Sequence, residues 1–205
     1  MYKTHATKIQ AFAQRSPDNM SLVCMMVSLS IQQNWLGVGE ALKDVVDNKE
    51  DSKHLWGFKK DTYRYIMTHK HKIHGQMMAV INSHKDDKDK ALSLMTIFLR
   101  IPGLGLPKAG FMCQLCAGLV GCMDIHNIRM YNLDIKDLTL AKNPKGSKGM
   151  ATNLAKIVNY VDLCTTYGTE NLWNSWCEYL STKSIHWVDG NHVSEVHYSY
   201  LVGYE

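Results

Sequence analysis

Between Leu99 and Ala109 the chain has to reverse direction, and this stretch limits the fold more than any other. It reads Leu99-Arg100-Ile101-Pro102-Gly103-Leu104-Gly105-Leu106-Pro107-Lys108-Ala109. An apolar helical pattern over residues 89–99, with Leu92, Met95 and Leu99 on one face, runs into a Pro-Gly-Leu-Gly turn. A second helix is expected to open near Leu106 and to run through residues 108–119. Gly103 and Gly105 permit positive φ angles and place no side chain over the backbone, so a tight hairpin with exposed amides is predicted. Those amides fall at a helix N-terminus, where partial positive charge gathers and a phosphate can bind. A single carboxylate, Asp124, follows the second helix.

Helical periodicity dominates elsewhere. Residues 21–34 read as an apolar helix, with Asn19 or Ser21 as its N-cap after the Ser16-Pro17-Asp18 turn. Gly37 starts another helix that ends in the polar run 47–53. Residues 60–74 mix aromatic and basic side chains, and residues 76–83 are apolar. Residues 142–149 form the one loop of loose composition. Helices return at 152–167 and 170–181, followed by a tail rich in Tyr and His. Strand signals are few and short, and no repeat or linker is visible. The expectation is a single all-α unit.

Bulk properties narrow the class. With 205 residues, 45% of them hydrophobic and 20% charged, the chain can bury a sizeable core. No run of about 18 apolar residues occurs, so no membrane partner is expected. Residues 1–5 lack an apolar signal core, which points to an intracellular protein. A net charge of +4 permits nucleic-acid binding without arguing for it. The six cysteines are expected to be reduced. Cys113, Cys116 and Cys122 are spaced partly like ligands of a metal cluster. Cys113 and Cys116 are also one helical turn apart, as small core residues are, and that reading is preferred.

Three blocks, in this order, carry a resemblance. Ser28-Leu29-Ser30-Ile31-Gln32-Gln33 is similar to the Leu-Leu-Ser-x-Gln helix end of the helix-hairpin-helix (HhH-GPD) DNA glycosylases, the superfamily of endonuclease III and of the oxoguanine and alkyladenine glycosylases. Residues 101–109 resemble their hairpin, Leu-Pro-Gly-Val-Gly-x-x-Thr-Ala. Met123-Asp124-Ile125-His126-Asn127-Ile128-Arg129 resembles their Val-Asp-x-His-x-x-Arg. The matching blocks span residues 21–131.

The resemblance implies an all-α, two-lobed helical fold with a central DNA-binding cleft, built as one domain over residues 1–205. A six-helix lobe would cover about residues 30–130, with the hairpin at 99–119, and a second lobe would combine 1–29 with 131–205. It implies double-stranded DNA with a damaged or modified base as partner, a monomer, and a monovalent cation held by hairpin carbonyls. No metal site, no iron–sulfur cluster and no required cofactor are expected.

Site residues follow from the same blocks. Asp124 is the expected catalytic group: cleaving an N-glycosidic bond builds positive charge on the sugar, which a carboxylate stabilises. The same residue also reads as a helix N-cap. Pro102, Gly103, Leu104, Gly105, Lys108 and Ala109 would hold the DNA backbone, and Gln32 would fill the space left by an extruded base. Trp35, His126 and Arg129 would form or support the base pocket, with Arg129 otherwise pairing with Asp134. The lyases of this superfamily attack the sugar with a lysine two residues after the second hairpin glycine, a position held here by Pro107. Lys108 is turned by about 100° from it on a helix and should point elsewhere, toward a phosphate. Slippage of the hairpin by one residue would make Lys108 catalytic.

The cluster His69-Lys70-His71-Lys72-Ile73-His74 reads as a solvated basic face, and Lys142, Lys145 and Lys148 as cleft or loop lysines. Some of Trp173, Trp176, Tyr179, Trp187, His192, His197, Tyr198 and Tyr200 would build the base pocket. The leading expectation is a monofunctional DNA glycosylase acting in base excision repair. The alternatives are a bifunctional glycosylase and lyase using Lys108, a viral base-modifying relative, and a non-catalytic DNA-binding module.

Overall fold

The first break in the helical run is set by Ser16-Pro17. In a computed structural model that describes residues 2–33, 37–181, 187–188 and 191–203, α1 (Tyr2–Arg15) stops at Ser16, which caps α2 (Pro17–Leu29). The Ser16 hydroxyl accepts from the Asn19 N–H at 3.1 Å. The cap therefore falls before Asn19 and Ser21. Pro17 suits the first turn because the N–H it lacks would have no partner there. Ser21 lies buried inside the helix, its hydroxyl donating to the Asp18 carbonyl. Helix α2 is apolar nearly all round and runs through the centre of the molecule.

The remaining order is α3 (Val38–Asn48), α4 (Phe58–Ile81), α5 (Asp87–Phe98), α6 (Leu106–Ala117), α7 (Ile125–Met130), α8 (Gly146–Tyr167), α9 (Thr169–Ser181) and α10 (Val193–Val202). Short 3₁₀ turns sit at Lys49–Asp51 and Ile135–Leu138. A two-residue antiparallel pair, β1 (Trp187–Val188) with β2 (Asn191–His192), precedes α10. The chain is otherwise all-α. The segments expected separately at 60–74 and 76–83 are one helix: Gly75 lies inside α4 with open space around it. An exposed helical glycine costs about 1 kcal/mol and does not end a helix without a capping bond.

Helix α2 packs on α1, α4 and α6; α5 packs on α4, α6 and α8; α9 and α10 return to α1. The buried side chains form one cluster from Ala6 to Leu201. All six cysteines are buried and outside any disulfide, with Cys113 and Cys116 inside α6 in that core. No helix among the described residues is long and apolar enough to cross a membrane.

Candidate functional site

The hairpin is a turn laid against the first residue of α4. Ile101 is buried, while Pro102 and Gly103 are exposed. Gly103 has φ +81°, and a Cβ there would collide with the Phe58 ring. Glycine is required at this position on both counts. Gly105 differs from expectation: at φ −100° and ψ 178° it is extended and uses no left-handed freedom. It is the N-cap of α6 and makes no side-chain capping bond. Pro107 has no N–H, and the N–H groups of Gly103, Gly105 and Leu106 donate to no acceptor among the described residues. They are the unpaired donors of a helix start. Three hairpin carbonyls are engaged: Ile101 O accepts from Leu104 N–H at 3.4 Å, Pro102 O from the Thr62 hydroxyl at 2.7 Å, and Gly105 O from Ala109 N–H at 3.0 Å.

Asp124 is presented by a short buried segment whose backbone is satisfied by side chains. The Tyr160 hydroxyl donates to Gly121 O at 2.9 Å and accepts from Met123 N–H at 2.8 Å. Gln114 Oε1 accepts from Cys122 N–H at 3.0 Å, and Asn127 Nδ2 donates to Cys122 O. Buried backbone groups need partners, and here four side chains from α6, α7 and α8 supply them, the Cys164 thiol also donating to Gly121 O at 3.5 Å. Gly110 makes room for the arrangement, since a Cβ there would lie 2.6 Å from Gly121 O. The segment delivers Asp124 to the N-cap of α7. Its Oδ1 accepts from His126 N–H at 2.9 Å and Asn127 N–H at 3.1 Å. Its Oδ2 has no hydrogen-bond partner among the described residues.

Asp124 and the hairpin line one cleft of about 1270 Å³, together with Gln32, Lys108, His126 and Trp176. Lys108 reaches from α6 to the end of α2. Its Nζ lies on the cleft, 2.9 Å from the Ser30 hydroxyl and 5.4 Å from the Phe111 ring centroid. Its long apolar stem brings the ammonium round to the polar end of α2. The Cys122 thiol is influenced by both charges. Burial pushes its thiol well up, Asp124 adds to that effect, and Lys108 opposes it.

Gln32 is not helical. Helix α2 ends at Leu29, Ser30 caps it, and Gln32 sits exposed in the following turn with φ +55°. A left-handed conformation at a residue other than glycine is a strained backbone of the kind found at functional positions.

Other expected residues separate. Pro102, Gly103, Leu104 and Gly105 line the cleft, but Ala109 is fully buried in α6 and cannot touch a ligand. Its N–H closes the first turn of the helix on Gly105 O at 3.0 Å. Arg129 is exposed on the last turn of α7, away from the cleft, where it complements the helix C-terminus. It forms no ion pair with Asp134, whose carboxylate instead accepts from the Lys136 N–H. Trp35 lies outside the described residues, as do the side chains of Tyr179, Trp187, His192 and His197.

Trp176 lines the cleft, packed against Phe111 at 5.8 Å and Trp173 at 5.6 Å between ring centroids. Of the three loop lysines, Lys142 lines the cleft, while Lys145 and Lys148 are exposed at the start of α8. On α4, His69 stacks on Tyr65 and His74 bonds the Gln14 carbonyl, and no metal-binding group of three His, Cys, Asp or Glu occurs among the described residues.

Gln114, Asn127, Tyr160 and Ser30 are the residues that sequence reasoning missed. Asn127 has a local signal, since it follows Asp124 within one turn. Gln114 and Tyr160 act across long sequence separations and have none. Compared with known proteins, the chain matches no family model, no curated protein and no solved structure.

Proposed function

We propose that the protein is a DNA glycosylase that extrudes a damaged or modified base from duplex DNA and hydrolyses its glycosidic bond. The observation that carries this reading is the pairing, in one cleft, of a carboxylate oxygen and a helix start whose amides, among the described residues, have no partner. Under this reading the helices form two lobes, residues 30–130 and residues 1–29 with 131–205, with the duplex lying across the cleft. The Gly103 and Gly105 N–H groups take a phosphate oxygen. Gln32 enters the space vacated by the base. As the C1′–N bond breaks, its electron pair leaves with the base and positive charge builds on the sugar. Asp124 Oδ2 stabilises that charge, and water adds at C1′ to give an abasic site.

The test is release of free base from duplexes containing uracil, oxoguanine, alkyladenine or mismatched thymine. Asn also caps helices well, so Asp124→Asn keeps the start of α7 while removing the charge. Release by the parent chain that falls by about 10²–10³ in the variant is expected. Binding of duplex without release across the panel would instead make the protein a DNA-holding module. One observation favours a second reading: the Lys108 amine lies on the cleft. It could attack C1′ with loss of the base and give a Schiff base that leads to strand cleavage.

A further inference from the structure

Lys59, in the first turn of α4, is 0% exposed and forms no ion pair among the described residues. Its Nζ donates to Leu29 O at 3.0 Å and lies 4.7 Å from the Trp56 ring centroid. Burial holds its pKa below the usual lysine value, and the nearby Lys108 charge acts in the same direction. Burying a cation without a carboxylate is costly, so the groups that receive it are informative.

Leu29 is the last residue of α2, where unpaired carbonyls and partial negative charge collect. The next residue, Ser30, accepts from Lys108. Two ammonium groups, from the first turns of α4 and α6, thus end on adjacent groups of one helix terminus. Phe58, beside Lys59, is the ring that seats Gly103 of the hairpin. The chain then passes directly into the left-handed turn at Gln32. An apolar side chain in place of Lys59 could fill the same space but would leave Leu29 O without this donor.

We infer that Lys59 is a positioning residue that pins the C-terminal turn of α2 to the hairpin side of the cleft and so fixes Gln32 at its mouth. The pinning stands on the contacts alone, whereas the use of Gln32 rests on the base-extrusion reading above.

Two measurements test this, on Lys59→Met with Lys60→Met as control. The first is amide hydrogen exchange in residues 26–33. Lys59→Met is expected to speed exchange there by about tenfold, with the control unchanged. The second is affinity for duplex carrying a tetrahydrofuran abasic analogue relative to intact duplex. That ratio is expected to fall by about tenfold, because only the abasic duplex offers a gap for Gln32. A general structural loss would weaken both duplexes equally and leave the ratio unchanged.

Unchanged exchange in 26–33 overturns the inference, as does an unchanged ratio in a variant of a protein that binds both duplexes. If the parent chain binds neither duplex, the function proposed above fails, and the exchange result still decides the pinning. Should Lys59→Met not fold, Lys59→Gln, a shorter neutral donor, is read by the same criteria.

Discussion

At Asp124 the two carboxylate oxygens have different surroundings, and this lets one side chain be both a cap and a candidate catalyst. Oδ1 satisfies two amides of α7 and fixes the rotamer, which leaves Oδ2 with no partner among the described residues. Lys108 raises the opposite question, since a cation on the cleft can hold a phosphate or attack a sugar. Its Nζ is engaged by Ser30, and hydrolysis through Asp124 needs no amine. Lys108→Gln is therefore expected to keep base release within a few-fold of the parent. It should lower the slope of log affinity against log salt by about one, the loss of one phosphate contact. Borohydride is expected to trap no protein–DNA adduct. An adduct formed by the parent and lost in Lys108→Gln would make Lys108 the nucleophile.

The element that presents Asp124 is held by polar bonds over long sequence distances, and this is where sequence reading runs out. The hairpin, the α7 cap and the end of α5 were legible because each is set by residues within one turn of one another. The cap of α2 was misplaced because Asn19 and Ser21 are as good cap formers as Ser16; Pro17 decides between them. One helical angle leaves open where the Lys108 ammonium ends, because it says nothing about where α2 ends. Tyr160 could not be found from sequence at all, since its two backbone partners lie far off at Gly121 and Met123. Tyr160→Phe would strand the Met123 N–H in a buried segment and leave Gly121 O with only the Cys164 thiol, at 3.5 Å. It is expected to lower stability by about 2–4 kcal/mol in a urea titration and to slow base release more than it weakens duplex binding. A variant within about 0.5 kcal/mol of the parent would show that these bonds do not hold the segment.

Across the whole molecule, the core carries its ionisable groups almost without counter-charges, and this sets how stability responds to alkali. Burial pushes the Cys113 thiol far up and raises Cys164 to about 12. Burial with the Asp124 charge raises Cys122, and a hydrogen bond with Cys24, together with burial, raises Cys116. An unfolded thiol ionises near its ordinary value of 9.0, while the folded chain keeps the proton. Above that pH the unfolded state binds fewer protons, so stability falls as pH rises, by about 1.4 kcal/mol per pH unit for each thiol. Lys59 acts the other way: its folded pKa is depressed, so stability gains as pH rises toward 10.5 and opposes part of that loss. The four thiols outnumber that one amine, so the net loss is on the order of a few kcal/mol per pH unit against a typical stability of about 5–15 kcal/mol. Under reducing conditions the urea midpoint is expected to be flat up to about pH 8 and to drop steeply by about pH 10.5, with helix loss by circular dichroism following. A midpoint that holds constant across that interval would mean the thiols ionise in place, and that the core around α6 opens to water without unfolding.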